Sequence, residues 1–281
     1  MKLFLLIFLI FICAACQTSC RIPGNMEIRA ESRWQLEEDS LPEFKSSAET
    51  TKKEDESSLL DNTGMTLETR VHSPEGYMRV SVEENSFAAF LRNFPMKEAE
   101  SPVLLYNGRE KGNQGSHAAV FALSIEDEKL QQCTNSIIRI YAEYFYQTKQ
   151  YDRLSFHISN AFEGESYKNL QEHLKIVFSY SSTTSMIKES TEISLSEIQA
   201  GDIFLKGGSL GHVVLIVDVC ETESGSKAFL LAQGCIPAQE FHLLKNPLHG
   251  EDPWYYEEEL SYPFSTPEYM FSEGSLRRLN Y

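Results

Sequence analysis

The chain has 281 residues, among which 41 acidic side chains outnumber 25 basic ones, for a formal net charge of −16. This balance argues against a nucleic-acid partner, because phosphate binding depends on Lys and Arg that neutralise a polyanion. Beyond a short apolar leader, the length suffices for one sizeable domain or at most two small ones. We expect one domain and a monomer.

The first residues have the pattern of a bacterial lipoprotein signal. An unbroken apolar run of ten residues, Leu3–Ile12, is followed by small residues and then by Cys16. Ten apolar residues are too few for a membrane-spanning helix, which needs about 20. The pattern resembles the lipobox, with Cys13 where Leu is usual. It predicts a signal peptide over residues 1–15 and lipidation of Cys16. The alternative is ordinary cleavage at the same point, which would release a secreted protein without an anchor.

The segment after the predicted anchor differs in composition from the rest of the chain. Residues 16–64 are poor in apolar clusters and rich in Glu, Ser, Thr and Lys. Such a stretch buries too little surface to offset the entropy of ordering, so we expect a flexible acidic tether and a globular domain over residues 65–281. Gln17, rather than Asp, favours outer-membrane sorting in a Gram-negative cell. The expected location is the bacterial outer membrane or cell envelope, lipid-anchored and facing the periplasm or the exterior.

Local patterns within the domain predict helices and strands in chain order. Ser86 is a typical N-cap for a short helix over SFAAFLRNF. Val103–Tyr106 and His117–Leu123 have the composition of strands, and an Asn-Gly turn signal follows the first. Apolar residues at spacings of three and four predict the longest helix from about Glu126 to Gln147, and a further helix is predicted over Ser166–Phe178.

The most informative block is an antiparallel meander. Ile198–Leu205, Val213–Val219 and Ala228–Gln233 are strand-like, and a Gly-rich turn and a polar loop separate them. The β-branched middle run is typical of a strand buried on both faces. We therefore predict an α+β fold in which an antiparallel sheet packs against the long helix.

Cys133 and His212 have the chemistry of a nucleophile and its base. A thiolate is favoured by a helix N-terminus and by an adjacent imidazolium. Gln233 lies near the end of the next strand, where its side-chain oxygen could accept the second ring N–H of His212 and fix the tautomer. Asp218 is unsuitable, since it lies six residues beyond His212 on the same strand, which corresponds to a separation of about 20 Å. Gln239 is an alternative third residue.

Each of these residues also has a purely structural interpretation. If the helix begins at Glu126, Cys133 lies two turns inside it, where the dipole is mostly spent and a free Cys commonly fills the core. A helix that begins near Gln132 would restore the advantage of the N-terminus. His212 and Gln233 can also be buried strand residues that bond neighbouring backbone.

The order of these residues resembles the bacterial cell-wall peptidases of papain-like fold, which include stem-peptide endopeptidases and cysteine, histidine-dependent amidohydrolases. In those families a helical Cys precedes Gly-Asp, a His and a polar third residue, here Cys133, Gly201-Asp202, His212 and Gln233. The resemblance implies a papain-like fold and a thiol hydrolase with these catalytic residues. The sequence departs from the pattern around Cys133, which lies between Gln and Thr instead of between an Asp and a Ser-Gly pair.

A closer resemblance spans Arg70 to Leu276. The residues that carry it are Leu130-Gln131-Gln132-Cys133, Arg139, Ala142-Glu143-Tyr144, Gly201-Asp202, Gly207-Gly208, Gly211-His212, Asp218, Leu230-Leu231-Ala232-Gln233, Pro237-Ala238-Gln239 and Pro253-Trp254-Tyr255. In these residues the chain resembles the bacterial lipoprotein family known as domain of unknown function 4846, and this resemblance implies no particular reaction.

Other motifs fail in their context. Gly-x-Ser-x-Gly at 207–211 matches a hydrolase nucleophile elbow, but a strand follows where a helix is required. His242 and His249 lack acidic neighbours at helical spacing, so we expect no metal and no cofactor. The six Cys residues predict no metal site and no particular disulfide. Arg139 and Glu143 are expected to form an i,i+4 pair without chemistry.

Together these observations predict a thiol-dependent peptidase or amidase that acts on peptidoglycan peptides or related envelope substrates. Cys133 would be the nucleophile, His212 the base and Gln233 the residue that orients the base. The alternative is a non-catalytic envelope lipoprotein that binds peptide or glycan in the same cleft. The expected partners are the membrane, through the lipid anchor, and peptidoglycan.

Overall fold

The computed structural model describes residues 58–125 and 129–281 of the chain. The predicted signal peptide, Cys16 and nearly all of the predicted tether therefore lie outside the described residues. Within the described ranges, no helix is long and apolar enough to cross a membrane.

Four of the five α-helices within the described residues begin at a Ser or Thr cap, and the longest begins without a side-chain cap. The α-helices of the described residues are α1 (Leu67–Arg70), α2 (Phe87–Arg92), α3 (Cys133–Gln147), α4 (Tyr167–Tyr180) and α5 (Thr183–Lys188). The predicted helix after Ser86 is confirmed, since the Ser86 side chain accepts a hydrogen bond from the backbone of Ala89. The helix predicted from Ser166 is also confirmed, with Ser166 as its N-cap, and it continues two residues further than expected, to Tyr180.

Strands form one large antiparallel sheet and a separate hairpin. They are β1 (Met78–Arg79), β2 (His117–Val120), β3 (Ser190–Glu192), β4 (Ile203–Lys206), β5 (His212–Glu221), β6 (Lys227–Gln233), β7 (His242–Leu244), β8 (Tyr255–Tyr256), β9 (Phe264–Ser265), β10 (Met270–Phe271) and β11 (Leu276–Leu279). The sheet order is β2-β7-β6-β5-β4-β11-β3, while β1 pairs with β5 and β8 with β6. Strands β9 and β10 form the hairpin.

The predicted meander is confirmed as β4, β5 and β6 at the centre of the sheet, but its first strand begins at Ile203 and not at Ile198. A further strand prediction was too long, since the strand expected over His117–Leu123 ends at Val120. The strand predicted over Val103–Tyr106 was wrong. This segment forms only isolated bridges, from Leu104 to Glu110 across the Asn-Gly turn and from Leu105 to Gln239. The sheet is thus built around β5.

The prediction that the longest helix begins at Glu126 was wrong. Helix α3 begins at Cys133 and has 15 residues. Gln132 adopts an extended backbone conformation (φ −83°, ψ −169°), which cannot continue a helix, and residues 129–130 form a turn. Nothing in the apolar spacing marks this break, because Leu130 and Cys133 would share a helical face.

Strand β5 is buried on both faces, as its sequence predicted. Val213, Leu215 and Val217 pack in the larger core cluster, which also contains the buried side chains of α3. Val214 and Ile216 belong to a second cluster on the other face, together with residues of the β9–β10 hairpin. Successive side chains of β5 point to opposite faces of the sheet, so the sheet lies between a helical layer and a hairpin layer. This architecture is α+β.

Candidate active site

Cys133 is the first residue of α3, so its thiol lies at a helix N-terminus, where unsatisfied N–H groups favour an anion. Burial nevertheless raises the pKa of the thiol above its ordinary value. Hydrogen bonds from the Thr134 hydroxyl, 3.9 Å from Sγ, and from the backbones of Thr134, Val213 and Cys133 itself lower that pKa, but only in part. Cys133 is 5% exposed. The resting group is therefore a neutral, largely buried thiol.

His212 and Gln233 are brought together by strand pairing. His212 begins β5, Gln233 ends β6, and the antiparallel register turns both side chains to one face of the sheet. His212 Nε2 lies 2.7 Å from Gln233 Oε1. Burial lowers the pKa of His212, and the hydrogen bond to Gln233 raises it only in part, so the ring is neutral at pH 7. No hydrogen bond to Nδ1 occurs within the described part of the chain.

The thiol and the imidazole lie on either side of the start of β5. Val213 faces the helical layer with Cys133, whereas the His212 ring packs against Tyr269 and Phe271 of the hairpin layer, with ring centroids 4.9 and 6.3 Å apart. Among the described residues no hydrogen bond joins Cys133 to His212. The backbone of Val213, which lowers the pKa of the thiol, directly follows His212 in β5, and proton transfer requires the thiol and the imidazole to come into direct contact.

Three residues that sequence reasoning missed, Lys111, Glu268 and Tyr269, complete the surroundings of His212 and Gln233. Tyr269 covers the His212 ring, and its hydroxyl donates a hydrogen bond to the carbonyl of Leu210. Glu268 accepts a hydrogen bond of 2.7 Å from Gln233 Nε2 and one of 2.6 Å from Lys111 Nζ. Tyr269 and Glu268 belong to the turn between β9 and β10, so this hairpin both covers the site and contacts its polar side chains.

The residues considered as alternative orienters do not reach His212. Gln239 makes no side-chain hydrogen bond to it, and Gln239 Oε1 is buried without a partner. Asp218 binds Arg79 at 2.6 Å and Arg92 at 2.8 Å in a buried cluster that ties β1 and α2 to the sheet. Gln233 is therefore the residue in position to orient His212.

The other reactive or charged side chains of interest are a buried ion pair and two further cysteines. Arg139 and Glu143 form a buried pair at 2.7 Å, and Glu143 also accepts from the hydroxyl of Tyr167. The cysteines of the described ranges, Cys133, Cys220 and Cys235, are all free. No group of His, Cys, Asp and Glu in these ranges could hold a metal ion.

A cleft of about 700 Å³ lies away from Cys133, His212 and Gln233. It is bounded by α2 and by the second half of α3, and its walls include Phe90, Glu143, Tyr144 and Tyr167. The candidate active site itself is covered rather than open, because all three predicted residues are at most 5% exposed. Substrate access there requires the cover over His212 to move.

Comparison with known proteins gives a family but no activity. No curated protein and no solved structure matches the chain significantly. The family described as "Domain of unknown function (4846)" matches residues 67–165 and 160–278, which together include Cys133, His212 and Gln233. The chain therefore belongs to this family, as the sequence resemblance indicated.

Proposed function

We propose that the protein is a thiol-dependent peptidase or amidase of papain-like type. Cys133 is the nucleophile, His212 the general base and Gln233 the residue that orients the base. The observation that carries the proposal is the 2.7 Å hydrogen bond between His212 Nε2 and Gln233 Oε1. Because an amide oxygen can only accept, this bond places the ring hydrogen on Nε2 and leaves Nδ1 free to accept a proton.

The reaction follows from these groups. As Sγ of Cys133 attacks a carbonyl carbon, Nδ1 of His212 takes the thiol proton, and the imidazolium then donates it to the departing amine. Water, deprotonated by the same ring, hydrolyses the thioester and restores the thiol. Backbone N–H groups at the start of α3 lie beside the thiol and are suited to stabilise the oxyanion of each tetrahedral intermediate.

The substrate class is inferred from the expected location of the protein. A signal peptide, a lipidated Cys16 and an acidic tether over residues 16–64 would hold the domain near the cell envelope. About fifty tether residues reach ~40 Å as a flexible coil. Peptide or amide bonds of peptidoglycan are substrates within that range, and we propose them as the target.

A second candidate function is supported by the burial of the nucleophile. Burial raises the pKa of the Cys133 thiol, and no hydrogen bond joins that thiol to His212 within the described ranges. A non-catalytic envelope lipoprotein that binds peptide or glycan would need neither an activated thiol nor a mobile cover. The two candidates differ in whether covalent bonds of the ligand are broken.

Digestion of purified sacculi separates the two candidates. We expect the wild-type protein to release stem-peptide fragments, detected by mass spectrometry, and Cys133→Ala and His212→Ala to release none. Cys220→Ala is the matched control, because Cys220 is a free, buried cysteine on the far part of β5 and outside the site. Equal release by wild type and Cys133→Ala would contradict Cys133 as the nucleophile. Release by neither would contradict hydrolysis, and cosedimentation of the protein with sacculi would then support binding.

A further inference from the structure

The amide of Gln233 is completely buried and has a different neighbour on each side. Its Oε1 lies 2.7 Å from His212 Nε2, and its Nε2 lies 2.7 Å from Glu268 Oε2. The nitrogen also has a longer contact of 3.5 Å with Nε2 of His242. The oxygen and nitrogen of a Gln side chain have nearly the same shape, so their neighbours decide which end is which.

Both neighbours of the nitrogen can only accept. An ionised carboxylate has no hydrogen to donate, and Glu268 is held by Lys111 at 2.6 Å. Burial lowers the pKa of His242 to about 3, so that ring is neutral. Its Nδ1 lies 2.8 Å from the Glu240 carbonyl and must donate to it, which leaves Nε2 without a hydrogen. The NH₂ end of Gln233 therefore faces Glu268 and His242.

The orientation of the amide then determines the protonation of His212. With its nitrogen bound to Glu268, Gln233 presents only an oxygen to His212 Nε2. The ring must donate from Nε2, and Nδ1 is left unprotonated. If the amide turned over, its NH₂ group would face His212, the ring hydrogen would move to Nδ1, and no base would remain for the thiol.

We propose that Glu268 is a positioning residue, which acts through Gln233 to hold His212 as the Nε2–H tautomer. The effect of Glu268 on catalysis rests on the proposed function, whereas its effect on the tautomer of His212 does not. Lys111, which donates to both Glu268 and Ser116, fixes the carboxylate in place. Because Glu268 precedes Tyr269 in the hairpin, the segment that covers His212 also sets its tautomer.

Nitrogen-15 NMR of the full chain labelled at histidine tests the proposal without any assay of activity. In the wild type we expect His212 as the Nε2–H tautomer and His242 as the opposite, Nδ1–H tautomer, with signals assigned by single substitution of each histidine. The opposite tautomer at either ring, or a mixture at His212, would overturn the proposal. This measurement needs no variant at Glu268 and so does not depend on whether such a variant folds.

Variants at Glu268 then test its role directly. Glu268→Ala removes the acceptor, and we expect the His212 signal to become a mixture of tautomers. Glu268→Gln retains an acceptor oxygen, and we expect it to restore the wild-type tautomer. Glu259→Ala, which removes only the partner of the surface residue His249, is the matched control and should leave both His212 and His242 unchanged. A pure Nε2–H tautomer in Glu268→Ala would contradict the proposal.

The same variants distinguish this proposal from the proposed function. If the tautomers are as expected but sacculi are not digested, the hydrolase fails and the positioning role stands. If sacculi are digested but His212 in Glu268→Ala keeps its tautomer, the positioning role fails alone. Where both hold, Glu268→Ala should lower kcat at least tenfold with little change in KM, and Glu268→Gln should recover most of kcat.

Discussion

The protonation states of Cys133 and His212 determine how a thiol hydrolase would begin its reaction. Burial raises the pKa of the thiol and lowers the pKa of the imidazole, so the two groups are both neutral at pH 7. An ion pair formed in advance would require the opposite shifts. In the proposed reaction the base therefore takes the proton during attack, so the tautomer of His212 and its close approach to Cys133 are the decisive features.

The pH dependence of hydrolysis follows from the His212 pKa. Only the neutral ring accepts a proton, and burial places its pKa below 6.5, so kcat/KM should remain high at pH 6.5 and fall only in more acidic solution. Glu268 raises that pKa through its charge, so Glu268→Gln should move the acid limb to still lower pH. A midpoint of the acid limb at or above pH 6.5 would contradict this assignment of the base.

At the scale of elements, the site depends on the close approach of β6 to α3. The residue after Gln233 is Gly234, and a Cβ there would overlap the side chain of Ser136 in the first turn of α3, 2.8 Å from its Cβ. The lack of a side chain at Gly234 thus lets the end of the strand contact the start of the helix. This contact brings the helix that carries Cys133 beside the strand that carries Gln233.

Gly234→Ala should separate these elements. We expect a loss of about 1–3 kcal/mol in the free energy of unfolding from overpacking, together with reduced hydrolysis, measured by urea titration and by the sacculus assay. Gly250→Ala is the control, because a Cβ at Gly250 would meet no atom within 4 Å. Equal stability of the two variants would show that the contact between β6 and α3 is not tight.

The carboxylate of Asp218 joins three elements. It lies on β5 and is completely buried, and it binds Arg79 of β1 and Arg92 of α2. Asp218→Asn leaves the buried Arg92 and the partly buried Arg79 without their counter-charge and should lower the free energy of unfolding by about 3–5 kcal/mol. Glu172→Gln, which removes an exposed helical pair with Lys168, should change stability by less than about 0.5 kcal/mol in the same urea titration. A small effect at Asp218 would contradict a stabilising role of this ion-pair cluster.

The elements differ in how far their sequences predict them. The meander was predictable, because a continuous β-branched run and a glycine-rich turn are local signals, and strand pairing then placed Gln233 beside His212. The start of α3 was not predictable, because the apolar spacing typical of a helix continues on both sides of Gln132, whose backbone is extended. Glu268 was not predictable either, since it reaches Gln233 from a hairpin 35 residues away and no local pattern marks that contact.

At the scale of the whole molecule, the buried His242 and the partly buried His157 make stability depend on pH. Burial lowers the pKa of His242 to about 3, whereas Glu189 raises that of His157. His242 is neutral in the folded state but becomes protonated in the unfolded chain below pH 6.5, so its contribution to stability is lost between pH 6.5 and 3. The contribution of His157 is present below pH 6.5 and is lost as the pH rises through its higher folded pKa.

Two variants separate these opposite effects in urea titrations from pH 5 to 8. His242→Gln should reduce the fall in stability below pH 6.5, by up to about 1.4 kcal/mol per pH unit. His157→Gln should leave stability below pH 6.5 with the same pH dependence, and it should abolish the decline in stability above pH 6.5. An unchanged slope below pH 6.5 in His242→Gln would contradict a neutral His242, and with it the contact that helps to orient Gln233.

The central claim is that Cys133 is a nucleophile, and trapping its covalent intermediate tests this most directly. The protein is incubated with peptides released chemically from sacculi, quenched with acid, cleaved and mapped by mass spectrometry. We predict an acyl adduct on the peptide that contains Cys133, its loss in His212→Ala, and no adduct on Cys220 or Cys235. An adduct on either of these other cysteines, or turnover of the peptides with no adduct on Cys133, would contradict the account.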